Sequence, residues 1–167
     1  MLNRREDDRR TMFADNGGVA VYGRTFEVLP MTEIKFLSLL DFVTAARAQI
    51  KEVAPNELQQ MLAEVPNLLL VDVRESSEHE QGHIQNAHLV PRGILEAAAD
   101  MNYPKHDELL YTARDKPVVL YCATGGRSAL AALTLQMMGY KDVYSLAGGF
   151  VKWQEVGCPV VREARFV

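Results

Sequence analysis

Cysteine is scarce in this chain. Only Cys122 and Cys158 occur among 167 residues, so no disulfide framework holds the protein together, and a reducing cytoplasmic setting is the expectation. Long hydrophobic runs are missing too. The longest apolar clusters, Phe36-Leu37-Ser38-Leu39-Leu40 and Ala129 to Met138, are too short to cross a bilayer, so no membrane partner is expected. An excess of basic residues is also lacking. The formal net charge of -4 argues against general nucleic-acid binding, which favours a basic surface, yet leaves room for one small basic pocket. No apolar run follows the charged start Met1-Leu2-Asn3-Arg4-Arg5-Glu6-Asp7-Asp8-Arg9-Arg10, so no secretory signal is expected there. Its acidic residues speak against a transit peptide. What is present is a composition 48% hydrophobic and 24% charged, the balance of a globular domain, at a length suited to one domain and a short appendage.

Residues 1–30 differ from the rest, mixing charge, an Asn16-Gly17-Gly18 turn and short apolar runs. They are expected to be an N-terminal extension, partly disordered or loosely docked. Met31 opens a more regular stretch and is a conceivable alternative start. Over 31–48 an N-terminal helix is expected, because Phe36, Leu39, Leu40, Val43 and Ala46 recur at helical spacing across about 34–48. Residues 49–165 then form the main domain. Strands are expected at Ile50 to Val53, Leu68 to Val73, Ala87 to Val90, Pro117 to Tyr121 and Val143 to Leu146. Helices are expected from Pro55 to about Glu64, over Ser76 to Gln81, once or twice within 93–113, from Gly125 to Met138 and from Gly149 to Val156. Alternation of this kind implies an α/β fold: an open, mostly parallel sheet of about five strands with helices on both faces.

Chemistry concentrates in Tyr121-Cys122-Ala123-Thr124-Gly125-Gly126-Arg127-Ser128. A cysteine stands at the carboxyl end of an apolar strand, where ligands bind in open α/β sheets. Gly125 and Gly126 permit dihedrals that turn successive N–H groups inward as an anion nest. The following helix adds its positive end. Such surroundings favour the thiolate, the nucleophilic form. Cys122 is therefore the candidate catalytic residue, and Ala123, Thr124, Gly125, Gly126 and Arg127 the candidate substrate-binding loop. Arg127 is expected either to attract an anion or to pair with an acid such as Asp72 or Glu75. Arg92, after another strand end, is a candidate for the pocket mouth. A lone buried cysteine is more often a small apolar side chain; strand, glycine loop, arginine and helix in one stretch reverse that preference.

Around this loop the chain resembles the single-domain rhodanese, or thiosulfate sulfurtransferase, family. Leu70-Val71-Asp72-Val73-Arg74-Glu75 resembles the family's Asp-x-Arg strand. Glu78 with Gly82-His83-Ile84 and Ala87 resembles its Glu…Gly-His-Ile-x-x-Ala segment. Leu146-Ala147-Gly148-Gly149-Phe150 with Trp153, then Gly157-Cys158-Pro159-Val160, resemble its ending. The ordered match runs over about 48–162. Asn86 stands where the family usually has Gly, and only a local turn difference is expected there. Asp72, Arg74 and His83 are read as structural motif residues. The resemblance implies a sulfurtransferase without metal or organic cofactor. A small anionic donor such as thiosulfate would give sulfur to Cys122, and cyanide or a cellular thiol would accept it from the persulfide. A homodimer or a sulfur-accepting protein is left open as partner.

Three rival readings are weighed. Cysteine-dependent phosphatases place five residues between Cys and Arg, whereas four separate Cys122 from Arg127, a tighter cradle. His79-Glu80-Gln81-Gly82-His83 spells the zinc-protease pattern H-E-x-x-H, but that chemistry needs a stable helix and a third ligand, and Gly82 argues against the helix. A rhodanese-like sulfur-relay or regulatory binding module is the non-enzyme alternative, against which Cys122 itself speaks. Cys158 is expected to be non-catalytic. His88 and His106 are expected to be solvated or hydrogen-bonded. Met137, Met138, Phe150 and Trp153 are expected to fill the core.

Overall fold

The computed structural model describes the backbone of Val19–Val21 and Arg24–Phe26, and residues 37–162 in full. Val19–Val21 (β1) and Arg24–Phe26 (β2) pair antiparallel, Val19 opposite Phe26, so the extension expected over 1–30 contains a short ribbon. The rest of that extension, and residues 31–36 of the expected helix, lie outside the described residues.

The helix expected over about 34–48 spans Leu39–Arg47 (α1). Its start is set by a capping box: the Ser38 hydroxyl accepts from the Asp41 N–H, and the Asp41 carboxylate accepts from the Ser38 N–H, satisfying amides that a helix start leaves unpaired. α1 buries Val43 and Ala46 and packs against the helix that follows Cys122. Leu39, Leu40 and Phe42 stay exposed, so only part of the apolar pattern is a core face.

The main body follows as Lys51–Val53 (β3), Pro55–Glu64 (α2), Leu69–Asp72 (β4), Ser76–Glu80 (α3), His88–Leu89 (β5), a 3-10 turn at Arg92–Ile94, Leu95–Ala99 (α4), Glu108–Tyr111 (α5), Pro117–Tyr121 (β6), Gly126–Met137 (α6), Asp142–Leu146 (β7) and Gly149–Glu155 (α7). The five strands β3 to β7 form one sheet in the order β3-β7-β6-β4-β5. Every pair in it is parallel, as crossover helices require. An antiparallel bridge joins His83 to Val161 beside it.

Apolar alternation along β6 divides the core. Val118, Leu120 and Cys122 face the side covered by α4, α5 and α6, where Leu95, Leu110, Ala131 and Leu135 are buried. Val119 and Tyr121 face Leu58 of α2 and Phe150 and Trp153 of α7. Phe150 and Trp153 thus pack as expected. Met138 packs against the first cluster, but Met137 is 70% exposed, so only one of that pair fills the core: consecutive helical residues point about 100° apart. Among the described residues no helix is long and apolar enough to cross a membrane.

From β4 the chain leaves toward β5, and from β6 toward β7 on the opposite side. The carboxyl ends of β4 and β6 therefore flank the switch point where open α/β sheets hold their ligands. Asp72 ends one strand and Cys122 follows the other.

Candidate functional site

Cys122 ends the alternation of β6 on the α6 side. Its side chain is buried at 1% exposure, with apolar neighbours below and a polar loop above. Sγ accepts from the Gly125 N–H at 3.2 Å and from the Ser128 hydroxyl at 3.7 Å. The nest expected from the glycines thus supplies one main-chain donor to the sulfur, supplemented by a side chain. Thr124 is exposed at the loop tip, Ala123 and Gly126 are half-buried, and α6, whose axis ends at the loop, starts at Gly126.

Backbone contacts lock this loop from α7. The N–H groups of Phe150 and Val151 donate to the carbonyls of Cys122 and Ala123 at 2.8 and 3.0 Å. The approach requires glycine: Gly149 has φ of 62°, and a Cβ there would lie 2.5 Å from the Cys122 carbonyl oxygen. Gly125, with φ of 93°, makes the turn that aims its N–H at the sulfur.

Arg127 pairs with an acid, but the acid is Glu78 of α3, not Asp72 or Glu75. Two parallel contacts of 2.7 and 2.8 Å join them, the fork geometry of an arginine–carboxylate pair. Arg127 holds the Glu78 carboxyl down at about 2. Glu78, and to a lesser degree Cys122, push the Arg127 guanidinium further up. The arginine therefore braces the loop while standing close enough to feel charge on the sulfur. Arg92 donates to Glu96 of α4 at 2.9 Å and to the Thr134 hydroxyl at 3.3 Å, not to the loop, so its expected place at a pocket mouth gives way to a bridge from the 3-10 turn to α4 and the C-terminal half of α6.

Asp72, Arg74 and His83 belong to a separate buried network. The Asp72 carboxylate accepts from the Arg74 side chain at 2.7 and 3.0 Å and contacts His79 Nδ1 at 2.9 Å. Burial alone would raise the Asp72 carboxyl, but the bonds from Arg74 and His79 outweigh it and hold it below the usual range. Arg74 also donates to the Gly82 carbonyl at 2.8 Å and stacks over Phe150. The rings of His79 and His83 lie face to face with centroids 3.9 Å apart. His83 Nδ1 contacts the His79 carbonyl. Two stacked rings, each with one nitrogen engaged inside the protein, do not converge on a metal, and among the described residues no group of three His, Cys, Asp or Glu side chains could hold a metal ion.

Asn86 adopts φ of 62°, the left-handed turn that Gly would make there and that Asn tolerates best among other residues, so the departure is local as expected. Cys158 packs beside Trp153 and Val160 on the other face of the sheet, and burial pushes its thiol up. His88 is hydrogen-bonded to Asp107 and His106 to the Tyr103 carbonyl.

Two groups at the site were not expected. The Ser128 hydroxyl, which touches Sγ, lies 2.9 Å from the Ser145 hydroxyl of β7. With Ser145 donating to Ser128, the Ser128 proton is shared between the sulfur and the Gly125 carbonyl, 3.3 Å away. The signal for Ser128 is its position in the first turn of α6; nothing local marks Ser145, an alternating residue of a strand. The second is Arg47. A Cβ on Gly125 would lie 3.1 Å from its guanidinium, so the C-terminal end of α1 reaches the loop.

Comparisons with known proteins bear on the family and the fold. The profile of the Rhodanese-like domain family matches residues 54–156. A protein of Allochromatium vinosum named sulfurtransferase is 35% identical over 117 residues, 67% of this chain and 95% of that protein. Several other curated relatives are longer, and the chain spans 26% to 59% of them. Among solved structures, a polysulfide-sulfur transferase homodimer from Wolinella succinogenes superposes with a TM-score of 0.57 at 33% identity, over 74% of this chain and 87% of that one. A Rhodopseudomonas palustris protein of unknown function, described as a possible tyrosine phosphatase, reaches a TM-score of 0.70 at 30% identity, over 79% of this chain and all of that one.

Proposed function

The chain belongs to the Rhodanese-like domain family, and from that premise we propose that it is a sulfurtransferase in which Cys122 carries sulfane sulfur as a persulfide. The observation that carries this reading is the thiol at the sheet's switch point, facing the Gly125 N–H, the Ser128 hydroxyl and the start of α6.

In the first half, the Cys122 thiolate attacks the outer sulfur of a donor such as thiosulfate. The donor's sulfur–sulfur bond breaks, sulfite leaves with the bonding pair, and Cys122 keeps the sulfur as Cys–S–S⁻. In the second, cyanide or a cellular thiol attacks the outer sulfur and the Cys122 thiolate leaves. With cyanide the product is thiocyanate; with a thiol it is a new persulfide. Both halves put negative charge on a sulfur beside the loop, so the same donors that face Sγ serve each displacement. No step asks for an external base or a cofactor when Cys122 reacts as its thiolate. Thr124 and Ala123 at the loop tip are uncharged and leave the donor to be chosen by shape and by the surrounding arginines. The acceptor is a small thiophile or a sulfur-accepting protein in a cytoplasmic setting.

The name of the Rhodopseudomonas neighbour favours a phosphatase as second reading. Four residues between Cys122 and Arg127, one fewer than the phosphatase signature has, with the Gly125 N–H turned onto Sγ, make a tighter loop, and the sulfur-transfer reading stands first. Intact mass after incubation with thiosulfate tests it. A gain of one sulfur atom, removed by cyanide and absent in Cys122→Ala, is the expected result. No gain, together with hydrolysis of an aryl phosphate that depends on Cys122, would put the phosphatase in its place.

A further inference from the structure

The glycine pair of the loop is covered by α1. A Cβ on Gly125 would meet the Arg47 guanidinium at 3.1 Å, and one on Gly126 would meet a Val43 methyl at 3.6 Å. Val43 and Arg47 are four residues apart and so share one face of the helix, the face that packs against α6. Arg47 thus lies against the backbone of the residue whose N–H points at Sγ. It also lies outside the span 54–156 that the family profile matches.

The arginines around the sheet's carboxyl edge differ in how far their charge is cancelled. Arg74 is buried on Asp72, and Arg127 is forked on Glu78 at 2.7 and 2.8 Å. Arg47 has one longer contact, 3.3 Å to Glu52 of β3, and its side chain is 40% exposed. A single, part-solvated pair neutralises less of the cation than a buried or forked one. Of the three, Arg47 therefore has the most positive charge left to act on the loop.

We propose that Arg47 is a positioning residue of the sulfur-transfer site, supplied by α1: it braces the Gly125 turn and adds positive potential over the Cys122 sulfur. The proposal rests on the sulfur-transfer reading, but its consequence is visible without any sulfur donor. If Arg47 served only the carbonyl end of α1 and Glu52, its removal would change stability and leave the reactivity of Cys122 alone.

The experiment measures the rate of Cys122 alkylation by iodoacetamide, an uncharged probe, at fixed neutral pH and low salt. It uses the full chain in a Cys158→Ser background. Arg47→Gln is expected to slow alkylation about threefold and Glu52→Gln to quicken it about twofold, in keeping with a partly exposed charge. Arg47→Lys should stay close to the parent. At about 1 M salt the differences should shrink, since screening then acts over a few ångströms. An unchanged rate in Arg47→Gln, a slower one in Glu52→Gln, or an Arg47→Lys variant as slow as Arg47→Gln overturns the proposal. Should Arg47→Gln fail to fold, Glu52→Gln decides alone, and a rate at or below the parent's overturns it. Failure of thiosulfate to load Cys122 sinks the sulfur-transfer reading instead and leaves the alkylation result standing.

Discussion

Two buried polar clusters sit at the carboxyl edge of the sheet, one strand apart, and they are built on opposite terms. Around Asp72, at the end of β4, every strong group has a strong partner: the carboxylate takes Arg74 twice over and His79 once, and Arg74 spends its remaining reach on the Gly82 carbonyl and the Phe150 ring. Around Cys122, after β6, the sulfur has one amide and one hydroxyl, neither of them charged. A charge met in full is bound to its place and has nothing left to offer a ligand. A sulfur met by two neutral donors is held in position yet remains able to bond to something new. The saturated cluster fixes the strand ends; the sparse one is where chemistry is left to do.

The sharpest way to break the contrast is at the saturated side. Asp72→Asn removes the charge from a site where Arg74 and Asp72 are both almost wholly buried, leaving the guanidinium without its counter-charge. Breaking a buried pair from one side costs about 3 to 5 kcal/mol. The expected outcome is a fall of that size in unfolding free energy by urea titration with the slope unchanged. Cys122 in the molecules that remain folded should alkylate at the parent rate. A large change in Cys122 reactivity with little loss of stability would show that the two clusters are not separate.

On the sparse side the corresponding change is Ser128→Ala. It deletes the side-chain donor to Sγ and leaves the Ser145 hydroxyl, its neighbour at 2.9 Å, without that partner. Stability should fall by only about 1 kcal/mol. The rate of persulfide formation, followed by mass after mixing with thiosulfate, should fall about tenfold, because a hydrogen bond to an ionised group carries more than one between neutral groups. Ser145→Ala should act in the same direction and more weakly, since it touches the sulfur only through Ser128.

How much of this could be read in advance follows the same division. The strands were legible as short apolar runs, and the α/β class as their alternation with helices, because burial on both faces leaves a local mark. Cys122, the glycine turn and the arginine were legible for the same reason: eight consecutive residues hold the strand end, the turn and the helix start. The partners that decide how those residues act come from distant parts of the chain. Glu78 meets Arg127 across 49 positions, and it stands three residues after Glu75, one of the two acids that sequence alone offers for the pairing. Nothing in a local window separates Glu78 from Glu75; the face of α3 does. Arg47 reads as a basic residue closing a helix until α1 is laid over Gly125, and Arg92 reads as a free cation until Glu96 and Thr134 are beside it. Residue types announce chemistry, whereas tertiary distance decides which of them carry it.

The smallest effect tests the link between the two clusters, the Arg127–Glu78 fork. Glu78 carries a carboxyl lowered from 4.5 to about 2, chiefly by Arg127. A carboxyl whose folded value lies below its unfolded one stabilises the fold fully above about pH 4.5. Its contribution then falls away as the pH drops toward 2, because the unfolded chain takes up the proton first. Both partners are about one-third exposed, so solvent screens the pair, and Glu78→Gln should cost only about 0.5 to 1 kcal/mol at pH 7. Urea titrations of parent and variant at pH 7, 4 and 3 should show that gap constant near neutrality and closing through the acid range. The fork also aims Arg127 at the loop, so the variant should form persulfide more slowly at pH 7, by about threefold if the lost energy is all felt at the sulfur. A stability gap that persists unchanged to pH 3 would mean that the glutamine disturbs α3 by its shape. The fork would then have to be counted with the saturated cluster as scaffold, leaving the sulfur with Gly125 and Ser128 as its own.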